Sequence, residues 1–228
     1  GSTQHGDDWG FVHESPADLL IGSGSADSVF RFPFQIGKKE LEEFTPVTTT
    51  SNTAFGSELH AHNPSDPYYL ISAPLTSRSK TKQRTGSLYI YNTADFNTAN
   101  RIEVYADNNG DMFPSRVWLC GDIDNDGIND WMASKSHAVT NSGTDHFRGE
   151  IIVGQSTIWN SGAESISIED LPSLSGELEH DGFGHFVDCK HDINEDGLVD
   201  VLISSPFRDG AQPASGAISI YTQDLITP

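Results

Sequence analysis

The chain has 228 residues, of which 13 are Lys or Arg and 33 are Asp or Glu, so its formal net charge is −20. A surface with that charge repels phosphate backbones and anionic membranes, which argues against nucleic-acid binding. No apolar run approaches the roughly 18 residues that span a bilayer, so we expect no membrane insertion.

Four segments of the chain share one pattern: a short apolar run, small residues with Gly or Pro, a polar loop and then an alternating strand. They lie at 17–32, 68–92, 130–154 and 200–222. The alternation at 88–91 and at 218–221 has the period of two that is typical of β-strands. Gly86, Gly149 and Gly216 introduce the last three alternating strands. The pattern predicts an all-β repeat protein.

An aromatic residue followed by Gly precedes most of the apolar runs. The pairs are Trp9-Gly10, Phe55-Gly56 and Phe183-Gly184, and Phe113-Pro114 is a degenerate member. The period is therefore roughly sixty residues, with three or four strands in each unit, which is typical of a β-propeller. We predict a single propeller region over residues 1–228, with approximate blades at 9–50, 51–107, 108–178 and 179–228.

Outer strands are expected at the end of each unit. The charged stretch at 37–44 has helical spacing but is short, and its β-rich neighbours favour an outer strand. Arg101–Tyr105 is predicted to be the outer strand of the second unit. Few residues follow the alternating strand of the last unit, so we expect that unit to lack its outer strand. Because unpaired edges are normally covered, we infer that the chain is a piece of a larger propeller, completed by further sequence, another chain or a second copy. A closed four-bladed ring is the less favoured alternative.

Two loops, GDIDNDGIND at 121–130 and DINEDGLVD at 192–200, concentrate carboxylates within a few residues. Side chains at positions one, three, five and nine and the carbonyl at position seven can converge on one point, and six or more oxygen ligands at ~2.3–2.6 Å suit Ca²⁺. Glycine at position six permits the turn. The first site would use Asp122, Asp124, Asp126, the Ile128 carbonyl and Asp130; the second would use Asp192, Asn194, Asp196, the Leu198 carbonyl and Asp200.

These loops differ from EF-hands, which need flanking helices and a Glu at position twelve. Position twelve is Ala133 in one loop and Ile203 in the other, and each loop runs into an apolar strand. Solvated Asp-Gly hairpin turns without metal are the alternative interpretation. A Ca²⁺ ion saturated by loop ligands would hold a hairpin in place, so we predict two structural ions and no catalytic residues in this chain.

Together these motifs resemble the FG-GAP repeat. The resemblance rests on the aromatic-Gly pairs, the Asp-rich loops, the small-residue turns at 72–74 and 204–206 and the spacing Gly-x-x-x-x-Tyr. That repeat builds the seven-bladed propeller of integrin α subunits and also occurs in GPI-specific phospholipase D and bacterial surface proteins. The resemblance implies about four FG-GAP blades here, and structural ions. It is incomplete, because the first two units lack the metal loop and the third lacks the aromatic-Gly pair.

The resemblance and the loops together predict a non-catalytic, Ca²⁺-stabilised recognition or adhesion module that binds a protein or glycan. The long loops at 76–85, 136–148 and 207–215 are the candidate binding surface, with four candidate anchors, Phe147, Arg148, Phe207 and Arg208. Extracellular modules bind Ca²⁺ at ~10⁻⁴–10⁻³ M, so we expect secretion or cell-surface display. The alternative is an accessory domain of an enzyme such as GPI-specific phospholipase D, with the catalytic domain outside this chain. Another chain or a second copy could complete the propeller.

The remaining cysteines, histidines and basic residues give weaker signals. Cys120 and Cys189 precede the two Asp-rich loops, and equivalent places in neighbouring units predict Cα atoms beyond the ~7 Å bridging limit, hence free buried thiols. Zinc at His180, Asp181, His185 and His191, or sharing of a metal by His60 and His62, is less favoured than polar surface positions. The basic loop of Arg78, Lys80, Lys82 and Arg84 could grip an anion but is favoured as a solvated loop tip.

Overall fold

The computed structural model describes residues 9–14, 18–23, 27–33, 42–44, 52–61, 68–92, 101–135, 149–155, 158, 162–210 and 212–222. They form sixteen β-strands arranged in four sheets, together with a single 3-10 turn at Ile168–Asp170. The prediction of an all-β chain is therefore confirmed. Within these residues, no helix has the length and apolarity that crossing a membrane requires.

The first two sheets are built from strands that follow one another along the chain. The first sheet contains β1 (Trp9–Glu14), β2 (Asp18–Ser23), β3 (Ser28–Pro33) and β4 (Glu42–Phe44), in that order. The second sheet contains β5 (Leu59–Ala61), β6 (Tyr68–Ala73), β7 (Ser87–Asn92) and β8 (Arg101–Tyr105). All neighbours among these eight strands pair antiparallel.

The third sheet repeats the four-strand arrangement, whereas the fourth has three strands among the described residues. The third sheet contains β9 (Arg116–Leu119), β10 (Trp131–Lys135), β11 (Glu150–Gly154) and β13 (Ser173–Ser175). The fourth sheet contains β14 (Val187–His191), β15 (Asp200–Ser205) and β16 (Ala217–Tyr221). Strand β12 (Ser165–Ser167) lies between β11 and β13 in the sequence but does not join their sheet. It pairs in parallel with β8 at the edge of the second sheet.

Two predicted outer strands are present. Glu42–Phe44 forms β4 and pairs with β3, whereas residues 37–41 of the charged stretch lie outside the described residues. Arg101–Tyr105 forms β8 and pairs with β7. Strand β12 then covers the edge of β8, which would otherwise expose unpaired backbone groups to other chains.

Strand β6 explains why the second strand of each unit is apolar without alternation. All six of its residues are buried, because the second sheet packs against a neighbour on both faces. Tyr69 and Ile71 belong to the hydrophobic core shared with the first sheet, whereas Tyr68 and Leu70 belong to the core shared with the third. Successive side chains of one strand therefore stabilise two different sheet interfaces.

Three hydrophobic cores lie between consecutive sheets. The first joins β2 and β3 to the second sheet, with Leu20, Val29, Phe55, Leu59, Tyr69, Ile71, Ala73, Tyr89 and Tyr91. The core between the second and third sheets centres on Leu70, Leu88, Ile90, Phe113, Trp131, Ala133 and Ile152. The core between the third and fourth sheets centres on Met132, Ile151, Val153, Phe183, Val187, Val201 and Ile203. Each sheet is thus packed against the next one along the chain.

The glycine before the third strand allows this close packing. A Cβ atom added to Gly86 would lie 2.0 Å from the carbonyl oxygen of Phe113, and one added to Gly149 would lie 1.9 Å from that of Phe183. Real Cβ atoms never approach backbone that closely. The glycine before the third strand of one sheet therefore packs against the aromatic residue that precedes the first strand of the next sheet. This contact explains why both positions repeat in the sequence.

The first strands of the four sheets converge. Strand β1 contacts β5, β5 contacts β9, and β9 contacts β14. Cys120 follows β9, Cys189 lies in β14, and the two form a disulfide with their Cα atoms 4.8 Å apart. The prediction of free thiols was wrong because it placed neighbouring units a full sheet separation apart, whereas their first strands lie side by side. A backbone hydrogen bond of 2.8 Å, donated by Gly121 to the Cys189 carbonyl, marks this contact.

We expect Gly149→Ala to lower the free energy of unfolding by about 2–5 kcal/mol, because a strained positive φ adds to a backbone clash. Gly162→Ala is the matched control: Gly162 also has a positive φ, of 66°, but nothing lies within 4 Å of an added Cβ. The control should lose only about 1–2 kcal/mol. Urea unfolding of both variants measures the difference, and equal losses would contradict the packing argument.

Replacing both cysteines by serine should lower the free energy of unfolding by about 2–4 kcal/mol, since the disulfide closes a loop with a sequence separation of 69. Guanidinium unfolding with and without a reducing agent is the measurement. The unmodified chain should lose a similar amount on reduction, and the double variant should not respond to reductant. A wild-type chain that reductant leaves unchanged would disprove the bond.

Candidate metal centre

Both Asp-rich loops join the first strand of a sheet to the second. Residues 120–130 connect β9 to β10, and residues 192–199 connect β14 to β15. The loops therefore occupy equivalent places in the third and fourth sheets. Their starting points lie close together, because the disulfide links Cys120 to Cys189 just ahead of each loop.

The two loops share the hydrogen bonds made by their first aspartate. In the first loop, Asp122 accepts from the backbone N–H groups of Asp126 at 3.0 Å and Gly127 at 2.8 Å. In the second, Asp192 accepts from the N–H groups of the equivalent Asp196 at 3.1 Å and Gly197 at 2.7 Å. In each loop a single carboxylate thus holds the backbone in a turn by accepting hydrogen bonds from two N–H groups.

The later positions of the loops correspond as well. Asp126 accepts from the N–H of Ile128 and Asp196 from the N–H of Leu198, each at 2.9 Å. At position nine, the buried carboxylate of Asp130 accepts from the Ile123 N–H at 2.7 Å, and that of Asp200 accepts from the Ile193 N–H at 2.8 Å. The sequence repeat is therefore also a repeat of loop conformation.

Three of the predicted ligands come together in the first loop. Oxygen atoms of Asp122, Asp124 and Asp130 all lie within 4.8 Å of one another, so these side chains could hold a metal ion. Across the described parts of the chain, this is the one group of three or more His, Cys, Asp or Glu side chains with that spacing. Asp126 does not belong to the triad, and one of its carboxylate oxygens accepts the Ile128 N–H.

The second loop has a weaker set of carboxylates. Asn194 stands where the first loop has Asp124, and its side-chain oxygen accepts the Asp196 N–H at 2.9 Å, just as Asp124 accepts the Asp126 N–H at 3.2 Å. The Asn194 amide also donates to the Asp196 carboxylate at 2.9 Å. An amide oxygen remains a suitable ligand for a hard cation, but it brings no charge.

Electrostatic repulsion in the first loop favours a cation. Burial raises the pKa of Asp124, and the neighbouring charges of Asp126 and Asp122 raise it further. A shift in that direction means that the crowded carboxylates disfavour one another's ionised form. A divalent cation among them would reverse the sign of this interaction, since each pair of like charges would then share an opposite one.

No protein-family model matches this sequence, and no curated protein matches it either. The FG-GAP resemblance therefore rests on the motifs and their spacing, and it stays a prediction.

The histidines do not assemble into a second metal site within the described residues. His191 pairs with Asp188 at 3.1 Å, and His60 lies 3.7 Å from Glu58. Asp181 instead faces Arg208, at 3.9 Å. His62, with which His60 is less favoured to share a metal, lies outside the described residues.

Sequence reasoning missed a cleft formed where the first strands converge. It has a volume of about 470 Å³ and is lined by residues of β5, β9 and β14 together with the segment just before β14. Its aromatic and basic lining residues are His60, Trp118, Phe186, Lys190 and His191. Phe186 leaves 59% of its surface exposed. The lining residues come from three different units. The sequence could have indicated the cleft only through the equivalent positions of β5, β9 and β14 as the first strands of their sheets.

The predicted recognition loops differ in how much of them is available. In the basic loop, Arg78 stacks over the Tyr105 ring with its guanidinium carbon 3.3 Å from the ring centroid, and Lys82 pairs with Asp107 at 2.9 Å. Arg208 pairs with Glu177 at 2.7 Å, whereas Phe207 is 59% exposed. Residues 136–148, including the proposed anchors Phe147 and Arg148, lie outside the described residues.

A buried ion cluster joins the loop after β8 to the third sheet. The Lys135 ammonium lies 3.4 Å from Asp111, 3.5 Å from Glu150 and 3.9 Å from Glu169. Asp111 is fully buried, and its Oδ1 atom has no hydrogen-bond partner. Burial raises the pKa of Asp111 to about 6, although Lys135 opposes the shift. The cluster connects the loop after β8 to β10, β11 and the 3-10 turn. Because Asp111 is ionised only at higher pH, the contribution of the cluster to stability depends on pH.

Because the folded-state pKa of Asp111 lies above its unfolded value, protonation of this group favours the folded state. Its stabilising effect is full below the unfolded pKa and is lost as the pH rises through about 6. We therefore expect Asp111 to make the chain about 1 kcal/mol more stable at pH 5 than at pH 7.

The comparison of wild type with Asp111→Asn isolates this contribution, since other carboxylates titrate in both proteins. Urea unfolding from pH 5 to pH 7 should show a flatter pH dependence in the variant, by about 1 kcal/mol. Glu164→Gln, at an exposed site outside the cluster, should leave the wild-type pH dependence in place. Parallel curves for wild type and Asp111→Asn would refute the assignment.

Proposed function

We propose that this chain is a non-catalytic recognition module, built as a β-propeller of FG-GAP-type blades and stabilised by two Ca²⁺ ions. The observation that carries the proposal is the shared conformation of the two Asp-rich loops at equivalent places in consecutive sheets. Four sheets stacked in sequence order, with their first strands converging, support the blade arrangement. The chain would supply about four blades of a larger propeller.

The chemistry of the loops favours Ca²⁺ over transition metals. Every proposed ligand is an oxygen atom, which suits Ca²⁺ and Mg²⁺, and a set of many protein oxygens without strict octahedral geometry suits the larger ion. The first ion would bind Asp122, Asp124, Asp126, the Ile128 carbonyl and Asp130. The second would bind Asp192, Asn194, Asp196, the Leu198 carbonyl and Asp200. Each ion would fix the hairpin that joins the first two strands of its sheet.

Recognition would occur at the loop face or at the cleft between the converging first strands. Phe207 and Phe186 are large apolar side chains that remain more than half exposed, and such residues often anchor protein or glycan ligands. A disulfide is typical of oxidising compartments, and this supports secretion or display at the cell surface. The weak Ca²⁺ affinity typical of extracellular modules fits the same location.

Calcium titration tests the metal sites directly. Isothermal calorimetry of the EDTA-treated chain should show two ions bound per chain. Addition of about 1 mM Ca²⁺ should stabilise the folded state by about 1–2 kcal/mol per site for dissociation constants near 0.1 mM. The rise in unfolding midpoint should disappear with excess EDTA.

Single substitutions separate the two sites. Asp122→Ala and Asp192→Ala should each reduce the stoichiometry from two ions to one, and the double variant should bind none. Asp107→Ala, at a half-buried carboxylate that pairs with Lys82 outside both loops, is the matched control and should bind two ions. If wild type binds no Ca²⁺ at millimolar concentrations, the loops are simple turns and the proposal fails.

A further inference from the structure

The fourth sheet exposes an apolar face that the second and third sheets bury. Ile218 and Ile220 lie two and four residues after Gly216, and they are 67% and 55% exposed. The corresponding residues of the second sheet, Leu88 and Ile90, are fully buried against the third sheet. Those of the third sheet, Ile151 and Val153, are buried against the fourth at 0% and 1% exposure. The exposed residues thus lie on the face that each earlier sheet presents to its successor.

The backbone at Gly216 also lacks the contact with a following sheet that Gly86 and Gly149 make. Like Gly86 and Gly149 it has a positive φ, of 77°, and precedes the third strand of its sheet. An added Cβ at Gly216 would have Pro206 atoms of its own sheet as its nearest contacts, the closest at 3.4 Å. The equivalent atoms of Gly86 and Gly149 would collide with backbone of the next sheet. Among the described residues, nothing takes that place beside Gly216.

The first sheet carries the complementary half of this interface. Gly56 donates a backbone hydrogen bond to the Ser72 carbonyl, and Gly184 donates one to the Ser204 carbonyl. Ser72 and Ser204 each pair with the second residue of the third strand of their own sheet. Gly10 pairs with Gly22, which has the same position relative to β3. Gly10 therefore occupies the same register position in the first sheet as Gly56 does in the second and Gly184 in the fourth. Gly56 and Gly184 are the glycines of the aromatic-Gly segments that pack against the preceding sheet.

We propose that the exposed face of the fourth sheet binds the first sheet of a second copy of this chain. The contact would place the Trp9-Gly10 segment of one copy against Gly216, Ile218 and Ile220 of the other. It would continue the packing already seen three times within the chain, in the same order and through the same positions. The interaction is head-to-tail, so it closes a ring of copies or extends into a chain, as its rotation dictates. It does not depend on the proposed Ca²⁺ sites.

The apolar chemistry of the face sets the first test. Sedimentation velocity of the 228-residue chain from about 1 to 200 µM should show concentration-dependent association. Ile218→Asp/Ile220→Asp should weaken association at least tenfold, because two charges would have to be buried. Leu178→Asp, at another exposed apolar residue outside β15 and β16, is the matched control and should associate like wild type. Far-ultraviolet circular dichroism and thermal unfolding verify that each variant is folded.

A mixing experiment tests the direction of the contact. A side chain at Gly10 should block the first sheet, because an added Cβ at the equivalent Gly56 lies 2.8 Å from Val29 of the preceding sheet. Gly10→Glu and Ile218→Asp/Ile220→Asp should each be monomeric alone, and an equimolar mixture should form one-to-one heterodimers. Self-association of Gly10→Glu would show a tail-to-tail contact and overturn the proposal. A wild-type chain that stays monomeric at 200 µM would also overturn it.

Discussion

Close approach of backbone between consecutive sheets is the constraint on which the other features depend. Gly86 and Gly149 let the aromatic turns at Phe113 and Phe183 pack directly on the preceding sheet. This contact lies beside the third strand and brings two sheets together, so that their facing side chains share one hydrophobic layer. The three hydrophobic cores fill that layer. Because each contact positions the next sheet in the same way, the first strands are brought together.

The convergence of first strands explains the position of the two Asp-rich loops. Each Asp-rich loop begins directly after a converging strand, so its start is held by the neighbouring unit as well as by its own sheet. The disulfide and the hydrogen bond from Gly121 to Cys189 strengthen that hold. A loop anchored in this way would lose little conformational entropy if its carboxylates gathered around an ion. Packing between sheets therefore lowers the entropic cost of a crowded acidic turn.

Local patterns in the sequence predicted the strands, and relations between units were the harder part. The apolar run of β6, the outer strand β8 and the loop containing Asp122 could all be recognised from a few adjacent residues. The Cys120–Cys189 bond could not, because it depends on the angle between two sheets rather than on the spacing within one. The parallel strand β12 and the cluster around Lys135 were missed for the same reason. Each joins residues whose proximity is set only by tertiary packing.

Strand β16 shows the limit of sequence patterns most clearly. Its alternating apolar residues match those of β11 in spacing and in distance from the preceding glycine, yet Ile151 is fully buried and Ile218 is 67% exposed. The same pattern is therefore compatible with a buried strand and with an exposed one, and we propose that a second copy supplies the sheet that covers β16. Burying the exposed parts of both isoleucines of β16, which are 67% and 55% exposed, would contribute about 1–2 kcal/mol for each side chain. The packing that stabilises the interior would then also stabilise the proposed contact between two copies.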